Sequence, residues 1–214
     1  MKISPTLTEV KEIAKTGKYD ILPVSCEILS DFITPIEAMR ILQNVSTHCY
    51  LLESAQANEA WGRYTFLGYD PKLEINCIDG HMKLGKLSVE TENPSEYIRQ
   101  ILSEYKSPKF DYLPSFTGGL VGYFSYDYLG YKEKSIRGKA RDTEDFKDVD
   151  LMLFDKVIAF DNLCQKIILI ANMSLDAPET GYNKAIVELK QLRELLMHGE
   201  KKQNMGGKLL GEVT

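Results

Sequence analysis

The chain has 214 residues, with 26 Lys and Arg against 31 Asp and Glu, for a formal net charge of −5. Hydrophobic residues make up 43% and charged residues 27%, the balance of an ordinary soluble globular protein. These figures exclude a collagen-like chain, a disordered tail and a disulfide mini-protein, and they leave room for one large domain or two small ones.

The first predicted element is a helix. Ser4 and Pro5 lead into it, Thr6 with Glu9 reads as a capping box, and the helix runs to about Thr16, where Gly17 supplies the stop. Tyr19 to Leu29 reads as extended; Pro23, which has no N–H to donate, argues for an edge. Thr34, Pro35 and Glu37 repeat the capping box, and Ile36, Met39, Ile41, Leu42 and Val45 give a helix to about Val45.

His48 to Leu52 is a short apolar strand ending in Glu53 and Ser54, and Gly62 to Tyr69 is another. Leu73, Ile75 and Cys77 alternate with polar residues, and Asp79-Gly80 is a two-residue hairpin signal leading into His81 to Leu84. Asn93, Pro94 and Glu96 start a third helix, striped by Ile98, Ile101, Leu102 and Tyr105.

Phe116 to Tyr126 is rich in glycine and aromatic residues, and Lys132 to Asp150 reads as an irregular excursion. Leu151 to Phe160 and Lys166 to Ala171 read as two strands of one hairpin, turning at Asp161-Asn162. A long helix follows from about Pro178 to His198, ended by Gly199. The tail from Glu200 carries no packing pattern and reads as a linker. Hairpins outnumber βαβ spacings, so the fold class is α+β, with mostly antiparallel β-sheets and flanking helices.

Few residues suggest a reactive or charged partner. The densest basic cluster, Lys201-Lys202 with Lys208 beyond it, is too thin for phosphate recognition, which argues against nucleic acid. Cys26, Cys49, Cys77 and Cys164 form no C-x-x-C pair; each lies in an apolar, strand-like stretch and is expected to be a buried free thiol. His48, His81 and His198 are scattered and match no metal-site spacing. The N-terminal segment has no apolar signal core and no 18-residue apolar run occurs, so a membrane is not expected and the cytoplasm is the default location.

Three segments can carry a small-molecule site. In Leu51-Leu52-Glu53-Ser54-Ala55, a strand ends in an acid and a hydroxyl. The acid could accept from an ammonium and the leucines could supply an apolar wall, although most such pairs are ordinary surface turns. In Gly62-Arg63-Tyr64-Thr65-Phe66-Leu67-Gly68, Arg63 could pair with a carboxylate or simply sit on a strand surface. The Pro114 to Tyr123 stretch lacks both phosphate-loop patterns, so its paired glycines read as a glycine-kinked strand in tight packing. No residues form a catalytic constellation.

Taken in order, LLESA, GRYTFLG, PSFTGGLVGYFSYD and DLMLFDKVIAFD followed by KIILIAN resemble the N-terminal region of anthranilate synthase component I, from about Tyr19 to the helix ending near His198. The related aminodeoxychorismate synthase component I shares the glycine-rich block and is the alternative, as is a non-catalytic interaction domain. The resemblance implies an N-terminal, tryptophan-regulatory domain over residues 1–200 and a linker tail, 201–214, toward a catalytic domain with no counterpart here.

It implies that the parent enzyme, a lyase, converts chorismate and ammonia to anthranilate and pyruvate in tryptophan biosynthesis. Ammonia would come from a glutamine amidotransferase subunit, component II. Chorismate and Mg²⁺ would bind in the catalytic domain, leaving this chain without catalytic residues, metal or cofactor of its own and inactive by itself. L-Tryptophan would act as feedback inhibitor at Glu53 and Ser54, flanked by Leu52 and Ala55, with Arg63 near a basic inhibitor contact.

Overall fold

The computed structural model describes residues 2–53, 62–133, 135 and 146–202. In chain order its strands and helices are β1 (Ile3–Ser4), α1 (Leu7–Lys15), β2 (Ile21–Leu29), α2 (Pro35–Val45), β3 (Cys49–Leu52), β4 (Tyr64–Tyr69), β5 (Leu73–Ile78), β6 (His81–Leu84), β7 (Leu87–Glu90), α3 (Pro94–Ser103), β8 (Gly119–Phe124), β9 (Val149–Phe154), β10 (Lys156–Asp161), β11 (Lys166–Ser174) and α4 (Pro178–His198). A 3₁₀ turn spans Tyr126–Tyr131.

The strands form two sheets, ordered β1-β2-β11-β10-β4-β3 and β7-β6-β5-β9-β8. Every pairing is antiparallel, giving the expected α+β class. The six-stranded sheet is covered on both faces. On one, Leu22, Val24, Ile158, Phe160, Ile167 and Leu169 pack against Val10 of α1, Ile41 and Leu42 of α2, and Leu189 and Leu192 of α4. On the other, Val157, Ala159, Ile168 and Ile170 are covered by Phe110, Leu113 and Phe116. Double coverage explains why β10 and β11 are nearly continuous apolar runs rather than alternating ones. The five-stranded sheet buries Ile75, Cys77, Met82, Val149 and Leu151 beneath Ile98 of α3.

Both capping boxes close. Thr6 accepts from the Glu9 N–H while Glu9 accepts from the Thr6 N–H at 2.7 Å, and Thr34 and Glu37 repeat the arrangement. Asp79 and Gly80 have φ of 48° and 87°, the positive pair a tight hairpin turn requires.

The structure corrects several expectations. Leu151 to Phe160 is two strands, not one: β9 ends at Phe154 in one sheet and β10 begins at Lys156 in the other, with Asp155 as the crossing. Pro23 lies in β2, which has β1 beside it; β1 pairs only with Ser25 and Cys26, so the strand is open at Pro23 and the missing donor costs nothing. Cys164 is exposed, because it lies in the β10–β11 turn rather than in a strand, and Cys49 is only half-buried. Residues after α4 are tied to α2: Asn44 Nδ2 donates to the Glu200 carbonyl at 2.6 Å and Lys202 N–H to the Arg40 carbonyl at 3.0 Å. Residues 203–214 of the expected linker lie outside the described residues.

Candidate functional site

The site begins at the open edge of the six-stranded sheet. β3 is that edge and pairs with β4, setting Leu51 opposite Leu67 and Leu52 opposite Phe66. Side chains alternate across a strand, so Leu51 turns toward the helix-covered core. Leu52 shares the opposite face with Tyr50 and Phe66 and remains 47% exposed. Glu53 follows it, exposed, at the end of the strand.

An aromatic floor backs this edge. The Tyr50 ring meets Phe154 edge-on at 4.8 Å and Phe116 at 6.4 Å, and Phe116 meets Phe66 at 5.6 Å. Tyr50 fits because Gly68 faces it without a side chain; a Cβ there would lie 2.2 Å from Tyr50 Cε1. Burial pushes the Tyr50 hydroxyl well above its ordinary titration range.

Ser54 and Ala55 lie outside the described residues, as does Trp61. The described chain resumes at Gly62. Arg63 then forks onto Asp161: Nε donates to Oδ1 at 3.1 Å and Nη2 to Oδ2 at 2.7 Å. The backbone N–H groups of Leu163 and Cys164 also donate to Asp161 Oδ1. Burial alone would raise the Asp161 carboxyl, but Arg63 and the Cys164 N–H outweigh it and hold it at about 2. The fork anticipated for a ligand carboxylate is thus engaged inside the protein. Asp161 escaped the sequence reading because it looks like a turn residue; the one available signal was an acid closing an apolar strand, which needs a cation if buried.

The glycine-rich segment is β8, packed closely as its composition suggested. A Cβ on Gly118 would sit 2.6 Å from Asn172 Nδ2, and one on Gly122 1.9 Å from the Asp150 carbonyl oxygen. Among the described residues no three His, Cys, Asp or Glu side chains converge as a metal would require, and no helix is long and apolar enough to cross a membrane.

The site therefore offers an exposed carboxylate beside an apolar, aromatic rim. No protein-family model matches the chain. Individual proteins do. It is 34% identical over 198 residues to "Anthranilate synthase component 1" of Acetivibrio thermocellus, a match covering 90% of this chain and 39% of that protein. It is 36% identical over 196 residues to the protein of the same name from Pseudomonas aeruginosa, covering 88% of this chain and 39% of that one.

The chain is a homologue of the N-terminal region of anthranilate synthase component I.

It spans about 39% of the length of these relatives. The crystal structure of anthranilate synthase component I from Streptococcus pneumoniae agrees, with a TM-score of 0.50 and 25% identity over 78% of this chain and 36% of that one. Within the anthranilate synthase component I resemblance, Leu52 and Glu53 of the LLESA motif come together at the end of β3, while Arg63 is joined to Asp161 at the β10–β11 turn.

Proposed function

We propose that this chain is the tryptophan-responsive N-terminal part of an anthranilate synthase component I. In the whole enzyme, chorismate and ammonia become anthranilate and pyruvate, with ammonia supplied by a glutamine amidotransferase subunit, component II. Chorismate chemistry, and any Mg²⁺ it uses, belongs to the region of the relatives beyond this chain; no step is assigned to residues here.

The observation that carries this reading is the exposed Glu53 carboxylate beside the half-exposed Leu52 at the end of β3. A carboxylate can accept from the ammonium of an amino acid with charge-assisted strength. Leu52 and the aromatic rim give the indole an apolar neighbour, and Ser54 would bond the ligand's polar end. Arg63 is already paired with Asp161, so its guanidinium is engaged inside the protein rather than offered to the ligand. Tryptophan inhibits by binding the low-activity arrangement of the two regions more tightly, since only a differential affinity can shift an equilibrium.

In the full-length enzyme, Glu53→Gln should raise the tryptophan concentration for half-inhibition at least about tenfold. Ser54→Phe should abolish inhibition, and both should leave uninhibited chorismate turnover intact. Ordinary tryptophan sensitivity in both variants would sink the assignment. The isolated 214-residue chain should form no anthranilate from chorismate and ammonium, monitored by anthranilate fluorescence; measurable turnover would place catalytic residues in it.

A further inference from the structure

An edge strand is where a sheet can be extended, and natural proteins guard such edges by shortness, charge, proline or a bulge. Among the described residues the two sheets end in β1, β3, β7 and β8. β1 has two residues, β3 has four and runs into Glu53, and β7 has four and closes on Glu90. β8 has none of these guards. Its six residues, Gly-Leu-Val-Gly-Tyr-Phe, carry no charge and no proline, and they pair with β9 at six consecutive positions without a bulge. Among the described residues β9 is its only partner strand, so the other side of β8 is open.

An apolar surface adjoins this edge. Phe124 closes β8 and is 49% exposed, and its ring meets Tyr128 of the following 3₁₀ turn at 4.7 Å. On the same turn Tyr126 is 89% exposed and Leu129 51%. Single exposed apolar residues are ordinary, but large ones grouped beside an unguarded strand mark a surface that is covered in the working protein.

The length of the relatives indicates what covers it. This chain spans about 39% of them, so the larger part of such an enzyme lies outside the match and needs a face to pack on. A contact within one polypeptide requires little affinity of its own, because the connection holds both parts at high effective concentration. A second copy would have to offset the loss of translational and rotational freedom from the same small surface.

We propose that the open edge of β8, with Phe124, Tyr126 and Leu129 beside it, is the face on which the remainder of the longer enzyme docks, laying an extended strand along β8 and apolar side chains over the aromatic turn. This rests on reading the chain as part of an anthranilate synthase component I, and not on the tryptophan site at Glu53.

The test compares the full-length enzyme with the 214-residue chain by hydrogen–deuterium exchange and mass spectrometry. Amides of β8 and the 3₁₀ turn should exchange at least about tenfold more slowly in the full-length enzyme. Tyr126 is so exposed that Tyr126→Ser should leave the melting temperature of the 214-residue chain within about 1 °C, while lowering that of the full-length enzyme by several degrees. The docking face is overturned if β8 exchanges equally in both forms or if Tyr126→Ser is neutral in both. It is also overturned if the shorter chain sediments as a dimer with β8 already protected, which would assign the edge to a second copy. Activity is read separately. Protection without anthranilate formation would overturn the enzyme reading and keep the docking face, whereas anthranilate formation without protection would overturn the docking face alone.

Discussion

Asp161 shows how one buried charge is made tolerable. Its side chain is inaccessible, while that of Arg63 is 35% exposed. Removing the arginine would strand a buried carboxylate, so Arg63→Ala should cost about 2 kcal/mol, below the usual figure for a buried pair because water can reach part of the site. Urea unfolding at neutral pH measures this. The carboxyl is held at about 2 in the fold, below its value of about 3.9 in an unfolded chain. A depressed acid stabilises the fold above the unfolded value and loses that contribution as pH falls through the folded one. The wild type should therefore lose stability between about pH 4 and pH 2, and Asp161→Asn should flatten that part of the profile. An unchanged slope in the variant would show that other carboxylates control acid unfolding. At this scale the sequence was only partly informative. The local pattern marked Glu53 and Ser54 only as one possible polar strand end, and the resemblance set them apart from the many such pairs that are ordinary turns. Asp161 could not be picked out, because its burial depends on a turn brought against Arg63 from 98 residues away.

Elements written by local chemistry were legible. The boxes at Thr6 and Thr34 and the Asp79-Gly80 turn depend on neighbours within four residues, and all three formed as read. What failed depended on partners elsewhere. Periodicity detects a strand but not the sheet it joins, so the step at Asp155 from β9 to β10 was invisible within one apolar run. β7 was missed for a related reason: its four residues are mostly exposed and carry no apolar stripe. Glycines in β8 give the sharpest prediction for an element. Gly122 has a φ of 152° and its missing Cβ would overlap the Asp150 carbonyl. Gly122→Ala must move the β8–β9 backbone and should cost roughly 2–4 kcal/mol, seen as a lower urea midpoint. A midpoint equal to wild type would mean that this ladder adjusts freely.

For the whole molecule, composition gave the class and hairpin spacing gave the antiparallel preference, yet neither revealed that the strands divide between two sheets. That division has a kinetic and thermodynamic corollary. Sheets with separate apolar clusters could in principle melt independently. Here the chain runs from β9 directly into β10 through one residue, and Asn172 of β11 clasps the junction, donating through Nδ2 to the Asp155 carbonyl at 3.0 Å and to the Thr117 carbonyl at 2.7 Å. Releasing either sheet pulls the last residue of a strand out of the other. The two halves should therefore unfold as one cooperative unit, with coincident fluorescence and circular dichroism transitions and matching slowest amide exchange in β5 and β11. The residue that sequence periodicity could not see, Asp155, is in this sense the gearing that makes two sheets share a single melting event.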